Sequence, residues 1–211
     1  MQPFAGRGRL FLLRHGETEW NRARRVMGRT AVPLSDAGRE QVRLLTPHLE
    51  GLGIGAIWTS PLARARETAE ILAAALGGLP VHDEEGLTEV HYAAWEGRHF
   101  HELVREPEFE LLRNDPVRTA IPGGGESLEH VRDRVFPALE RVLAASGGKP
   151  ALVVSHGDPL RVVLAACLAL DLLHLRRLRL DNGALSALEL TGDWVEVKFV
   201  NMRPDLAAMI G

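Results

Sequence analysis

Three apolar runs in this chain end in polar clusters that a strand cannot extend through and an ordinary turn does not need. LFLLRHG stops on Arg14, His15 and Gly16, AIWTSPLAR passes through Ser60 and Pro61 to Arg64, and ALVVSHGD stops on His156, Gly157 and Asp158. Helix-like stretches separate the runs. Strands in alternation with helices argue for a three-layer α/β/α sandwich around a mostly parallel sheet, and such sheets build their sites beyond the strand carboxyl ends. All three clusters fall there. The strands are predicted over Arg9–Arg14, Ala56–Thr59, Leu79–His82, Ala151–Ser155, Leu185–Leu190 and Trp194–Val200, with Thr191-Gly192-Asp193 turning the last two into an antiparallel edge hairpin. Helices are predicted after Ser35 as N-cap, after Ser60-Pro61 with serine capping and proline at the first helical position, and over Glu126–Ala145 and Pro159–Leu170. The stretch from Arg98 to Arg113 reads as a less regular helical region.

No linker, repeat or low-complexity segment divides the 211 residues, so one domain over 1–211 is expected. A net charge of −3 does not ask for nucleic acid or an anionic membrane, and the basic groups Arg22-Ala23-Arg24-Arg25 and Arg176-Arg177 read as solvated faces or local salt bridges. Cys167, the single cysteine, cannot form an internal disulfide and lies in the apolar run VVLAACLAL, where a small buried thiol is expected. That run is too short to span a bilayer and the N-terminal MQPFAGRGR lacks the apolar core of a signal peptide. A cytoplasmic protein is expected.

Neighbouring Arg14 and His15 would point to opposite faces of a continuing strand, so both can face one pocket only if the strand ends there. Gly16 allows a sharp turn and a close approach of an anion to main-chain N–H groups. A second strand-His-Gly turn at His156, and Arg64 early in the helix after TSP, would bring two histidines and two arginines to one point. Guanidinium forks and a helix N-terminus suit phosphoryl oxygens. A histidine between guanidinium groups is biased toward the neutral form that can attack phosphorus. Glu89 follows the third strand and can reach the same rim as a proton donor, whereas Asp83, Glu84, Glu85 and Glu96 read as exposed turn or cap residues.

The ordered set LRHGETEWN, LSDAGREQ, TSPLARARETAEIL, LTEVHYAAWEG, PGGGES, VVSHGD and NGALSALEL resembles the histidine phosphatase superfamily, also called phosphoglycerate mutase-like. The resemblance implies that His15 becomes phosphohistidine and that Glu89 is the proton donor. It further implies that Arg14, Arg64 and His156 hold the phosphoryl oxygens, with Asn21 adding a hydrogen bond and Gly157 contributing at the same turn. It implies no cofactor and no metal, the positive charge coming from two arginines and a cationic His156. His91, His99 and His101 lack a convincing ligand spacing and read as surface histidines. Pro122-Gly123-Gly124-Gly125 lacks the lysine of a P-loop and reads as a flexible rim segment; Trp20, Trp95 and Phe100 read as packing.

Within that family the phosphatase branch is favoured over the phosphoglycerate mutases. The Glu89 to Glu126 segment is compact and has no arginine-rich insertion, and Gly28-Arg29-Thr30-Ala31 stands in place of a GWxD signature. An α-ribazole-phosphate phosphatase role and, from a different class, a phospholigand-binding regulator are the alternatives; retention of the whole charged set argues against the regulator. Met27 in place of glutamine, and Ala93 in place of the glycine usual before WEG, imply a more apolar specificity pocket. The expected partner is a small phosphorylated metabolite, with a homodimer as the expected assembly.

Overall fold

The computed structural model describes residue 4 and residues 6–204. Its elements in chain order are β1 (Gly6–Arg14), α1 (Glu19–Arg22), α2 (Asp36–Leu49), β2 (Ala56–Thr59), α3 (Ala63–Ala75), β3 (Val81–Asp83), α4 (Phe100–Leu103), α5 (Pro107–Asn114), α6 (Leu128–Ala145), β4 (Ala151–Ser155), α7 (Gly157–Cys167), β5 (Leu185–Gly192) and β6 (Trp194–Met202). Short 3-10 turns cover Glu85–Leu87, Ala93–Trp95 and Leu172–Arg177. The strands form one sheet in the order β3-β2-β4-β1-β5-β6. The first four are parallel, β5 runs antiparallel to β1, and β6 antiparallel to β5.

Side-chain alternation along β1 divides the core between two layers. Leu10 and Leu12 join Val131, Val135 and Leu139 of α6 and Leu160 and Val163 of α7 on one face. Phe11 and Leu13 join Val42 and Leu45 of α2 and Ala65, Ala69 and Leu72 of α3 on the other. Both faces of the central strands are covered, as their unbroken apolar runs require.

This topology sets the site. β1 and β4 are parallel neighbours with Arg14 opposite Ser155, and β2 lies on the far side of β4 with Thr59 opposite Val154. Two backbone bonds extend the ladder past the strand ends, His15 N–H to the Ser155 carbonyl and Ser60 N–H to the Val154 carbonyl, both 3.0 Å. The three polar clusters therefore leave adjacent strands at one edge.

Several boundaries differ from those expected. Ser60 is not the N-cap of α3: the helix begins at Ala63 behind Leu62, and the Ser60 hydroxyl points instead to His156. β3 starts two residues late, at Val81. α7 begins at Gly157, directly after His156, so its N-terminus lies in the site. α6 is capped by Ser127 in a reciprocal arrangement with His130, which leaves Glu126 outside the helix. The Arg98–Arg113 region divides into α4 and α5 because Pro107 restarts the helix at its first position. Among the described residues no helix is long and apolar enough to cross a membrane.

Candidate active site

His15 is 1% exposed, and both ring nitrogens are engaged. Nδ1 lies 2.7 Å from the Gly16 carbonyl and so carries the proton, which leaves the Nε2 lone pair to accept from Arg64 Nε at 3.2 Å. Burial first, then the Arg64 and Arg14 charges, depress the His15 pKa well below the usual imidazole value. The ring is neutral, with Nε2 as its unprotonated nitrogen. Gly16 serves this geometry differently from expectation. Its N–H donates to Thr68 Oγ1 and is not offered to an anion, while a Cβ at residue 16 would come within 2.6 Å of the Gly38 carbonyl oxygen. Close packing of the turn on α2 is what requires glycine here.

Arg64, on the first turn of α3, is fully buried and donates to the Gly28 carbonyl at 2.7 Å and the Thr30 carbonyl at 3.1 Å. Burial brings its pKa down to about 10, so it remains cationic near neutrality. Glu96, expected to be an exposed cap, holds the same loop from the opposite side by accepting from Arg29 N–H and Thr30 N–H. Arg14 donates to the Leu180 carbonyl at 2.7 Å, and its buried Nε has no partner.

His156 corrects an expectation. Burial, followed by the Arg64, His15 and Arg14 surroundings, lowers its pKa well below the usual value, so it is neutral rather than cationic. Its Nε2 meets the Ser60 hydroxyl at 2.8 Å. Ser60 also accepts from Leu62 N–H, and the buried Nδ1 of His156 has no partner. The His15 and His156 rings stand 5.1 Å apart. Two buried nitrogens without partners, Arg14 Nε and His156 Nδ1, therefore occur beside the His15 ring, and buried polar groups in folded proteins are rarely left unpaired. Gly157 occupies the first position of α7, where the helix leaves its N–H uncommitted, and a Cβ there would crowd Arg161 and Arg14. Asn21 accepts at Oδ1 from Thr18 N–H, the Thr18 hydroxyl and Asn182 Nδ2, which directs its own amide NH2 toward the cleft.

Glu89 follows β3 as expected, and its pKa is raised by burial and by the nearby Asp158 charge. The backbone that carries it is clamped by Arg134, which donates to the carbonyls of Gly86, Thr88 and Glu89 while paired with Glu126. Glu126 in turn accepts from His91 N–H. Asp158 receives the Tyr92 hydroxyl at 2.6 Å and Arg161 at 2.8 Å, with the more exposed Arg176 at 3.4 Å. Burial alone would raise the Asp158 carboxyl, but Arg176 and Arg161 hold it well below the carboxylate range. Of these groups Arg14, Asn21, Glu89, Tyr92, Gly157, Asp158 and Arg161 line a cleft of about 330 Å³, together with Arg24, Arg25 and Arg176. Those arginines, expected on solvated faces, and Phe100, expected in packing, line the cleft as well.

Ser60, Thr68, Arg134, Asp158 and Asn182 are site residues that the sequence does not single out. Asp158 and Asn182 lie inside the SHGD and NGALS segments, whereas Arg134 has no signal beyond a charged helix position. The Gly-rich segment is a packed turn rather than a flexible rim: Gly125 N–H bonds the Ile121 carbonyl, and a Cβ at Gly125 would meet Ile121 Cβ at 2.5 Å. No group of three or more histidine, cysteine or acidic side chains suited to a metal forms among the described residues. Cys167 is partly buried, and its apolar surroundings push its thiol up to about 12.

A neutral histidine, two arginines and a carboxyl group of raised pKa gathered past the ends of parallel strands are a set suited to a phosphoryl group. The profile of the histidine phosphatase superfamily (branch 1) matches residues 10–203, and the chain belongs to that superfamily. It is 38% identical over 183 residues to a Serratia proteamaculans protein named "Probable phosphoglycerate mutase GpmB", covering 85% of this chain and 84% of that protein. Its fold is similar to that of the alpha-ribazole phosphatase from Shigella flexneri, with a TM-score of 0.83, 29% identity, and 92% and 96% of the two chains covered. A phosphoserine phosphatase from Entamoeba histolytica, in complex with 3-phosphoglyceric acid, matches with a TM-score of 0.81 and 25% identity over 92% of this chain and 97% of its own.

Proposed function

We propose that the protein is a phosphomonoesterase that acts on small phosphorylated metabolites through a phosphohistidine on His15. The observation that carries this reading is the pairing of a neutral His15 with two buried nitrogens that have no partner in the protein, Arg14 Nε and His156 Nδ1. In the first step His15 Nε2 attacks phosphorus and the ester bond breaks, its oxygen taking the proton from Glu89. The Gly16 carbonyl, bonded to Nδ1–H, favours the positive charge that develops on the imidazole. In the second step water attacks the phosphohistidine, Glu89 accepts its proton, and inorganic phosphate leaves. Arg14, Arg64, Asn21, His156 and the Gly157 N–H hold the phosphoryl oxygens throughout. Fixed donors aimed at developing charge supply the electrostatic stabilisation that a metal ion brings elsewhere, and no metal or cofactor enters this scheme. A cytoplasmic setting goes with small-metabolite substrates and a single, partly buried cysteine.

Curated relatives carry a mutase name, and mutase activity is the second reading. The compact Glu89–Glu126 segment favours hydrolysis. A screen of phosphorylated metabolites that includes 3-phosphoglycerate, with separate readouts for free phosphate and 2-phosphoglycerate, tests the proposal. Phosphate release exceeding isomerisation is the expected result; isomerisation outrunning release would replace hydrolase by mutase. Absence of both across the panel would favour a phospholigand-binding regulator.

A further inference from the structure

Beside the phosphoryl cleft lies a second cavity, of about 350 Å³, lined by Trp95, Leu103, Leu112, Ile121, Leu128 and Leu175 among others. Trp95, Leu103, Ile121, Leu128 and Leu175 are buried apolar residues of the core, yet the space between them is unfilled. Protein interiors rarely tolerate voids much larger than a water molecule, and ligand pockets begin near about 300 Å³. The polar groups of the lining are already committed within the protein: the Tyr92 hydroxyl and Arg176 to Asp158, Glu126 to Arg134, Arg113 to Glu110 and Ser127 to His130.

Val26, Tyr92, Phe100, Asp158 and Arg176 line both cavities and so form the wall between them. Phe100 and Leu173 are about half exposed, at 48% and 49%, and mark where the chamber meets solvent. Glu89 lines the cleft and its neighbour Val90 lines the chamber. The acid of the cleft therefore lies where the two cavities adjoin.

We propose that this chamber receives the alcohol portion of the substrate, and that the substrates are phosphate monoesters of apolar alcohols carrying an aromatic or branched-alkyl group. The inference rests on the phosphomonoesterase reading for its chemistry but not for its binding test. Ethyl phosphate and 3-phenylpropyl phosphate have alkoxide leaving groups of similar basicity, so their difference reports the chamber rather than the acid. The corresponding phosphonates bind without turnover.

Calorimetry should give a dissociation constant about 10–100-fold lower for 3-phenylpropylphosphonate than for ethylphosphonate, with a more negative heat-capacity change. kcat/KM for the two phosphates should differ by a similar factor. Leu112→Trp, which fills the chamber from α5, should erase the preference and leave ethylphosphonate affinity unchanged; that unchanged affinity also reports an intact cleft. Leu112→Ala, which only enlarges the space, should lower the preference a few-fold and serves if the tryptophan variant does not fold. Equal affinities in the unaltered protein, or a preference that survives Leu112→Trp, overturns the assignment. A phosphonate preference without turnover of either phosphate would instead overturn the phosphomonoesterase reading and leave the chamber assignment standing.

Discussion

The cleft and the chamber share a wall but are held together by opposite means. At the cleft's inner end His15, Arg64 and His156 are almost wholly buried, and each is fixed by hydrogen bonds, His15 to the Gly16 carbonyl, Arg64 to the Gly28 carbonyl and His156 to the Ser60 hydroxyl. In the chamber the outer shell comes from two short helices, α4 and α5, and it is open at Phe100, which is 48% exposed. A charged site needs rigid placement because buried ions and dipoles lose their value with small displacements. An apolar site needs only volume and exclusion of water. Substitutions in the cleft should therefore affect rate across all substrates, and those in the chamber shell should affect choice and stability.

The largest effect should come from His15→Ala. Turnover should fall by at least about 10⁴-fold, as when a covalent nucleophile is removed, with no acid-labile, base-stable phosphoryl group trapped on the protein by rapid quenching. A label of unchanged amount in the variant would move the nucleophile elsewhere.

Next is Glu89→Gln, expected to slow single-turnover release of an alkyl alcohol by about 10²–10⁴-fold. Release of p-nitrophenol should suffer much less, because that group leaves without a proton. Equal losses in this first step would remove Glu89 from the acid role.

Asp158→Asn tests the wall itself and should act through pH. Glu89 must be protonated to donate, and its raised pKa puts the loss of activity on the alkaline side of the kcat/KM profile. The Asp158 charge contributes to that rise and also partly neutralises Arg161 and Arg176. Without it the Glu89 pKa falls, so the alkaline limb should move to lower pH. A limb that stays in place would separate Glu89 from the pH dependence.

The smallest effect belongs to the chamber side. Ala93 has φ +45°, a left-handed conformation that costs an L-residue about 1–2 kcal/mol and that glycine adopts freely. After allowance for the entropy of glycine in the unfolded chain, Ala93→Gly should stabilise by about 0.5 kcal/mol, or about 1–2 °C in the thermal midpoint. Kinetics on ethyl phosphate should not change. Destabilisation would mean that the alanine methyl, which lies near Gly123, contributes more by packing than the backbone conformation costs.

Much of the cleft is legible in the sequence because its residues stand directly after apolar strands, and strand ends in a parallel sheet converge by topology. RHG, TSPLAR and SHGD are local signals with a shared destination. Local signals fail where one side chain has two uses. Ser60 has the sequence context of a helix cap, but the β2–β4 pairing brings it against His156, and a bond to a buried imidazole takes precedence over capping. A cationic His156 is the expectation because phosphoryl binding needs charge; complete burial beside two arginines keeps it neutral instead.

The chamber is almost illegible in the sequence. Its lining comes from α4, α5, the turn before α6 and the Leu172–Arg177 turn, none of which shows a long periodic pattern. The sequence by itself determined the alternation of strands and helices, the three strand-end clusters and the identity of the charged set, since each follows from neighbours a few residues apart. Only the tertiary structure decided the neutral state of His156, the clamp of Arg134 on the Glu89 backbone and the void behind Tyr92. Those depend on burial and on contacts between residues far apart in the chain, and neither spacing nor composition carries that information.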